Sequence, residues 1–285
     1  MVFVSSTFGQ EALTPTPIPG VSPAEKKADS PAKEKWEFEI TPYFWMAGLN
    51  GDVTIKGIPA DISMSFGDIM SDFKFGSQAH MEARKGKWGL FLDATYMNLG
   101  TDINGSRKFT GPDGIAHIQT YLDASIDMEE WLVEFGGAYQ LAKVPIGQNQ
   151  GGTMILDLIV GGRYWYLYSD IDVGLILEDN VNRVSRYISG SGSKQWVDPF
   201  VGLRSVFQLT DKIMLAFRGD IGGFSVGSKF SWNASGYFGY KVSEMVSLLA
   251  GYRTLYVDYE SGRGNSKFVW DMTMHGPAIG MTFRF

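Results

Sequence analysis

From residue 36 onward, apolar and polar side chains alternate along the chain with a period of two. In the segment 154–168, apolar or aromatic residues and one glycine hold the even positions, while Asp157 and Arg163 stand at odd positions. This period is the pattern of a β-strand, whose successive side chains point to opposite faces. The same alternation returns at residues 196–209, 212–224, 229–240 and 245–259. It predicts an all-β fold of antiparallel strands joined by turns rich in Gly, Asp, Asn and Ser.

These segments are longer than the five or six residues of an ordinary soluble strand. One face of each is apolar, and the other mixes Gly, Ser, Asn and Asp with Arg. Aromatic residues collect near the strand ends, at Tyr164, Trp196, Trp232, Tyr252, Tyr256, Phe268 and Trp270. An apolar outer face, aromatic girdles and a polar interior are what a barrel in a bilayer requires. The pattern therefore predicts a transmembrane β-barrel, and a soluble lipocalin-like barrel or sandwich is the alternative.

The last residues read GMTFRF, with Ile279, Met281, Phe283 and Phe285 at alternate positions. This ending resembles the terminal strand of Gram-negative outer-membrane β-barrel proteins, a small porin-like superfamily. The resemblance implies that residues 36–285 form a barrel surrounded by outer-membrane lipid. It also implies that Phe283 and Phe285 form the signal read by the β-barrel assembly machinery.

With the last strand ending in the periplasm, as the resemblance implies, the segments order themselves into an up-and-down barrel of about ten strands, with about twelve as the alternative. Short turns such as ARKGKW and QLTDK then lie on the periplasmic side. The longer segments 49–73, 100–114 and 169–195 become extracellular loops, the last one a large loop or a strand extension. We expect 49–73 to form a hairpin or an inward-folded plug, with a helix at 67–73.

Two changes in the parity of the apolar positions predict β-bulges. One lies near residues 129–130, and the other around residues 276–277, where proline also favours a bulge. The second bulge would place Trp270, Met272 and Met274 on the outer face.

The amino-acid composition argues against several classes of function. The 285 residues include no Cys and three His, which leaves no thiol nucleophile and makes a metal site or a cofactor unexpected. The net charge of -6 argues against nucleic acid as a partner, since that binding needs Lys and Arg to meet phosphates. No apolar run approaches the roughly 20 residues of a membrane-spanning helix.

The N-terminal part of the chain has a different amino-acid composition. Residues 13–35 are rich in proline among small and charged residues, which predicts a disordered periplasmic linker. Residues 1–12 contain an apolar stretch without a basic segment before it. They fit either the remnant of a signal peptide or a flexible terminus.

Strand parity places charged residues of both signs inside the barrel. The candidates for the lumen or its constriction are Arg84, Asp157, Arg163, Asp198, Arg204, Arg218, Asp220, Arg253 and His275. About ten strands give a narrow or blocked lumen. Two interpretations stay open: the charges pair and fill the barrel, or arginines and acids line a narrow channel for small solutes or ions. We take the channel as the predicted function.

A closed structural barrel that acts as a surface receptor, adhesin or anchor through its extracellular loops is the alternative function. Catalysis is not expected. His275 shares a face with Asp271, and His80 with Glu82, but no nucleophile motif accompanies either pair.

Overall fold

The computed structural model describes residues 35–55, 58–71, 73–110, 117–147, 151–178 and 183–285. The predicted signal-peptide remnant at 1–12 and all but the last residue of the predicted linker at 13–35 lie outside these ranges. The described elements are β1 (Glu37–Trp45), β2 (Gly48–Ile55), β3 (Ile58–Met64), α1 (Phe66–Ser71), β4 (Phe73–Lys85), β5 (Trp88–Thr110), β6 (His117–Ile146), β7 (Gly152–Glu178), β8 (Arg183–Gln208), β9 (Ile213–Gly222), β10 (Phe230–Lys241), β11 (Val246–Ser261), a 3₁₀ turn (Gly264–Ser266) and β12 (Phe268–Arg284). No helix in the described ranges is long and apolar enough to cross a membrane.

Ten of the strands form a closed antiparallel barrel, in the order β1, β4 to β12 and back to β1. Closure occurs where Glu39 pairs with Arg284 and Trp45 pairs with Ala278. The Phe285 N–H donates to the Phe38 carbonyl at 2.9 Å and continues the ladder. The predicted up-and-down barrel of ten strands is thereby confirmed.

The outer surface of the barrel is apolar all the way round. Every barrel strand contributes an exposed large apolar side chain, namely Phe38, Met81, Leu90, Phe135, Leu158, Val201, Phe217, Phe238, Leu248 and Ile279. Such a surface costs free energy in water but not in hydrocarbon. Because these strands pair into a closed ring, the backbone polar groups along their ladders are also satisfied without solvent, as a bilayer demands.

The two ends of the barrel differ in how the strands are joined. At one end the turns are short, and in the tightest of them Lys85 pairs with Trp88 around Gly86, whose φ is 58°. A positive φ at the first central residue suits a two-residue hairpin that follows the twist of the strands. We call this the short-turn end; it is the end predicted to lie in the periplasm.

At the opposite end, β5 to β8 continue beyond their neighbours. β4 pairs with β5 no further than Leu99, and β9 pairs with β8 no further than Phe200. The four strands continue as a separate antiparallel sheet, which we call the extension, up to the pair Glu178–Arg183. At roughly 3.4 Å per residue, the 17 residues of β8 that precede Phe200 span about 58 Å. Within the predicted segment 169–195, residues 169–178 and 183–195 are therefore strand extensions, the second form that the sequence predicted.

Within the described ranges, the wall of the barrel has a break beside β1. β12 pairs with β1 near the short-turn end and with β2 above it, so β1 and β2 form one broken strand. β4 pairs with β1 only as far as Pro42 opposite Ala79. Beyond that pair, no ladder joins β3 to β4 in the described ranges, and α1 lies there instead. We call this break the seam. The predicted hairpin and helix within 49–73 are both present, as β2, β3 and α1.

Both predicted β-bulges are wrong. β6 pairs with β5 without a shift through Glu129 and Glu130, and its irregularity lies at Gln140–Ala142 against β7. β12 pairs with β11 without a shift through Gly276 and Pro277. The apolar residues change sides because the interior of the barrel becomes apolar toward the extension, while the strands keep their register.

This continuity reverses several predicted orientations. Trp270, Met272 and Met274 lie inside the barrel, 5%, 0% and 2% exposed, and not on the lipid face. Trp196, predicted in a girdle, also lies inside. His275, on the alternate position, points outward.

Candidate functional site

The centre of the lumen is built around one carboxylate. Glu134 on β6 is fully buried, and its Oε1 accepts a hydrogen bond from Arg163 Nε at 2.6 Å. Its Oε2 accepts from Arg218 Nη1 at 2.9 Å and lies 3.2 Å from Arg253 Nη2. Three arginines from β7, β9 and β11 therefore converge on Glu134 across the lumen.

A second carboxylate shares two of these arginines. Asp220 on β9 lies 2.7 Å from Arg163 Nη2 and 2.8 Å from Arg218 Nη2, and it accepts from Asn233 Nδ2 at 3.0 Å. The remaining Arg163 nitrogen donates to Ser231 Oγ at 3.2 Å. Every guanidinium nitrogen of Arg163 thus has a partner, which is what makes its complete burial tolerable.

Another cluster lies nearer the short-turn end. Arg204 on β8 donates to Glu82 at 2.5 Å and to Asp157 at 2.9 Å. Arg84 on β4 donates to the same Asp157 oxygen at 2.5 Å. Two arginines and two carboxylates balance each other here. Arg84 and Arg204 keep 20% and 17% of their side-chain surface exposed, so water reaches this level from below.

His80 and Asp93 connect the two clusters. His80 Nδ1 lies 3.2 Å from Asp93 Oδ2, and its Nε2 lies 3.7 Å from Glu82. Asp93 also accepts from the Tyr43 hydroxyl at 2.8 Å and faces Arg253 Nη1 at 3.4 Å. Both ring nitrogens of His80 face carboxylates, so neither faces a hydroxyl nucleophile. We call the joined clusters the ion-pair network.

The network rests on two aromatic rings. Phe91 and Phe200 lie with their ring centroids 6.3 Å apart, and the Arg218 guanidinium sits 5.8 Å and 5.3 Å from them. Gly136 and Gly161 pair directly beneath. A Cβ on Gly161 would lie 2.8 Å from the Phe200 ring, so only glycine leaves room for the ring at this place.

The interior toward the extension is apolar, and sequence reasoning missed it. Trp196 stacks between Tyr259, at 3.8 Å between centroids, and Trp165, at 5.6 Å. The rest of this layer includes Leu49, Val53, Leu132, Leu167, Leu255, Val257, Trp270, Met272 and Met274. A signal was available: residues 164–168 read YWYLY and are apolar on both faces, which indicates a strand buried on both sides.

Most of the predicted luminal residues do lie in the lumen. Arg84, Asp157, Arg163, Arg204, Arg218, Asp220 and Arg253 belong to the ion-pair network. Asp198 is inside and fully buried, and among the described residues it bonds to no arginine; it accepts from the Ser228 N–H at 2.6 Å and from Trp196 Nε1 at 3.2 Å.

His275 is the exception, and its predicted luminal position is wrong. It pairs in register with Thr254, on the face of β11 that also carries the exposed Tyr252. The Tyr252 hydroxyl lies 2.7 Å from His275 Nδ1, and Asn50 Nδ2 lies 3.1 Å from its Nε2. Because the predicted bulge is absent, His275 keeps the outward parity of its strand. Asp271, two residues before it, points outward as well, opposite Asp258.

The two aromatic residues of the predicted assembly signal lie on the closing strand. Phe283 pairs with Ile40 of β1 and with Val246 of β11. Phe285 follows the strand and is 67% exposed. Both therefore stand where the barrel closes.

No protein-family model matches the sequence, and no curated protein sequence matches it. Among solved structures, the chain is similar to Neisserial surface protein A at 12% identity, with 88% of this chain and 97% of that chain covered and a TM-score of 0.31. It is similar to the outer membrane protease OmpT from Escherichia coli at 7% identity, with 88% and 97% covered and a TM-score of 0.46. The translocator domain of the autotransporter NalP from Neisseria meningitidis gives 12% identity, 90% and 90% covered and a TM-score of 0.37. These likenesses concern the barrel fold alone.

The closed antiparallel barrel, its apolar outer surface on every strand and its charged interior define the class of the protein. It is a transmembrane β-barrel with the architecture of the outer-membrane type.

Proposed function

We propose that this barrel is closed to ions and hydrophilic solutes and works at the cell surface, through its extension, as a receptor, adhesin or anchor. The observation that carries the proposal is the burial of the ion-pair network. Arg163 and Glu134 are 0% exposed. The lining of a conducting pore has to contact water, and these side chains contact only one another and their protein neighbours.

The extension supplies the surface that such a function needs. Its outer strands, β5 beyond Gly100 and β8 from 183 to 196, have no neighbouring strand on their outer side among the described residues. An unpaired strand edge offers a row of backbone donors and acceptors to which another chain can add a strand. A sheet that reaches roughly 58 Å past the last pair of β8 with β9 is well placed to make that contact.

A narrow channel is the second candidate, favoured by the water-exposed arginines near the short-turn end. Arg84 and Arg204 would form its mouth. Conduction would then require the central pairs around Glu134 to separate. Separating one partner of a buried pair costs about 3–5 kcal/mol, which makes an open state rare unless a ligand or a voltage stabilises it.

Conductance of the refolded protein in a planar bilayer separates these candidates. We expect no stable steps from the wild-type barrel, and intermittent leak from Glu134→Ala, which removes the hub of the network. Ser243→Ala, in a short turn, serves as the matched control and should stay silent. Stable wild-type steps whose ion selectivity changes in Arg204→Glu would overturn the closed barrel and establish the channel.

The surface role is tested by trimming the extension at matched register. Replacing residues 103–124 by a two-residue Asn-Gly turn closes the hairpin at the Asp102–Ser125 pair, and replacing 171–190 in the same way closes it at the Asp170–Ser191 pair. The barrel should still show heat-modifiable gel migration, since its own ladders are intact. Binding of cells to surfaces or to partner proteins should fall in both deletions. Unchanged binding in a folded double deletion would contradict the proposal.

A further inference from the structure

A cavity opens beside the seam and borders the ion-pair network at Tyr43, whose hydroxyl donates to Asp93. Its apolar wall includes Phe44, Phe66, Ile69, Phe73, Met97 and Leu132. Its polar members include Gln78, Thr95 and Glu130. The cavity therefore combines a mostly apolar surface with a few polar groups, which is the usual composition of a small-molecule site.

Glu130 is the unusual member of this cavity. It is 2% exposed, and its Oε2 is buried without a hydrogen-bond partner. Each carboxylate of the ion-pair network faces an arginine; these carboxylates are Glu82, Asp93, Glu134, Asp157 and Asp220. In the described ranges, Glu130 faces no arginine. Keeping this buried carboxyl ionised without a cation beside it is costly, so the carboxyl either holds a proton or takes a positively charged partner.

A second polar group at the same cavity is also unused. Trp45 Nε1 is buried and has no hydrogen-bond partner, while the Trp45 backbone N–H donates to Gln78 Oε1 at 2.6 Å. An ammonium group has N–H donors and no acceptor, so Glu130 is the group in this cavity that would bind it, and the Trp45 N–H would stay without a partner.

The seam provides access to this cavity from the outer surface. On one side of α1, Phe66 packs edge-on against the outward-facing Phe44 at 5.9 Å between ring centroids. On the other side, Ile69 is 2% exposed and belongs to the interior cluster. α1 therefore fills the thickness of the wall. No ladder ties it to β4, so it can shift without breaking the hydrogen bonds of the barrel.

We propose that this cavity binds a small amphiphilic amine, whose ammonium group pairs with Glu130 and whose aromatic or alkyl body lies against Phe66, Ile69 and Met97. The carboxylate selects the cation, and the apolar wall selects the body. An anionic amphiphile of the same size would place like charges together, and a neutral one would leave the charge of Glu130 unpaired. The site is independent of the extension and of the surface function proposed above.

The probe for this site is 2-phenylethylammonium, titrated into the refolded full chain in phosphatidylcholine nanodiscs and followed by calorimetry. 2-Phenylethanol and 3-phenylpropanoate are the neutral and anionic comparisons. We expect the ammonium probe to bind at least tenfold more tightly than either. Glu130→Gln should remove that preference, lowering ammonium affinity at least tenfold.

Glu129→Gln is the matched control. Glu129 is the neighbouring carboxylate on the other face of β6, where it accepts from the Tyr96 hydroxyl at 2.8 Å. This variant should bind the ammonium probe like the wild type. If Glu130→Gln does not refold, Met97→Trp, which fills the cavity and keeps the charge, should abolish binding. Equal affinity for the three probes, no wild-type binding, or unchanged binding in Glu130→Gln or Met97→Trp would overturn the proposal.

Discussion

Glu134 and Arg163 stand directly opposite each other on β6 and β7, and their side chains meet at 2.6 Å with no exposure to solvent. The pair is the point at which the lumen is closed. Arg218 and Arg253 reach the same carboxylate from the far side of the barrel. One acidic residue therefore holds together strands that are not neighbours in the sheet.

Replacing Glu134 by Gln should lower the free energy of unfolding by about 3–5 kcal/mol, because three arginines lose a common counter-charge in a buried place. Urea unfolding in phosphatidylcholine vesicles measures this change. Glu260→Gln, which removes an exposed carboxylate that pairs with Lys229, is the control and should change little. Equal stability of the two variants would argue that water enters the network.

The glycine pair under the aromatic rings gives a second prediction. A Cβ on Gly161 would lie 2.2 Å from the Phe135 carbonyl oxygen, so Gly161→Ala has to displace backbone. We expect a loss of about 1–3 kcal/mol. Gly219→Ala is the matched control, because its Cβ would have no atom within 4 Å, and it should be neutral or slightly stabilising. Chemical denaturation of both variants in the same lipid makes the comparison.

The stacked aromatic layer is the third feature to test. Trp196→Ala removes the ring between Tyr259 and Trp165 and should cost about 3–5 kcal/mol. Its near-ultraviolet circular dichroism should lose the signal of the stack. Tyr259→Phe keeps the ring and should retain both the signal and most of the stability. A full signal in Trp196→Ala would show that the stack is not formed in lipid.

The N-terminal cap of α1 predicts that the stability of this helix depends on pH. The Asp68 carboxylate accepts from the Ser65 N–H at 2.8 Å and from the Ser65 hydroxyl at 2.7 Å, and these bonds hold the pKa of Asp68 below its ordinary value. Since the folded pKa is the lower one, the cap stabilises α1 above the ordinary aspartate pKa, about 3.9, and is lost as the pH falls through the folded pKa.

Amide-exchange protection factors of residues 66–71, measured at several pH values, test this dependence. Protection in the wild type should fall in acid, while β10 stays protected. Ser65→Ala should show low protection at every pH, because it removes the hydroxyl that bonds Asp68. A wild-type profile that is flat in acid would contradict the expectation.

The alternation of apolar and polar residues predicts the strands, their number and the lipid face near the short-turn end. It succeeds there because only one face is apolar, as at Leu158 and Val201, while the other carries charges such as Asp157. Near the extension both faces are apolar. A period of two then no longer distinguishes lipid from interior, and Met272 and Trp270 are assigned to the wrong side.

The sequence likewise predicts one part of the candidate site and not the other. Parity brings Arg163 and Arg218 inside, but their partners depend on how far each strand is sheared against the next, which no local pattern records. Glu130 is a clear example. Its neighbour Glu129 looks identical in sequence, yet one faces a hydroxyl on the outer surface and the other an apolar cavity.

The closure between β1 and β12 sets the order of events in folding. The hydroxyls of Thr41 and Thr282 meet at 2.8 Å although 241 positions separate them in the chain. Contacts of such long range form late, because the loop-closure entropy must be overcome before they stabilise anything. Hairpins such as β10–β11 can assemble early, but the ring itself cannot exist until β12 has zipped against β11 on one side and against both β1 and β2 on the other. Before this closure, the sheet has two unpaired edge strands, and this is the stage at which the folding chain is most vulnerable. The rate at which β12 pairs with β1 and β2 determines how long that stage lasts.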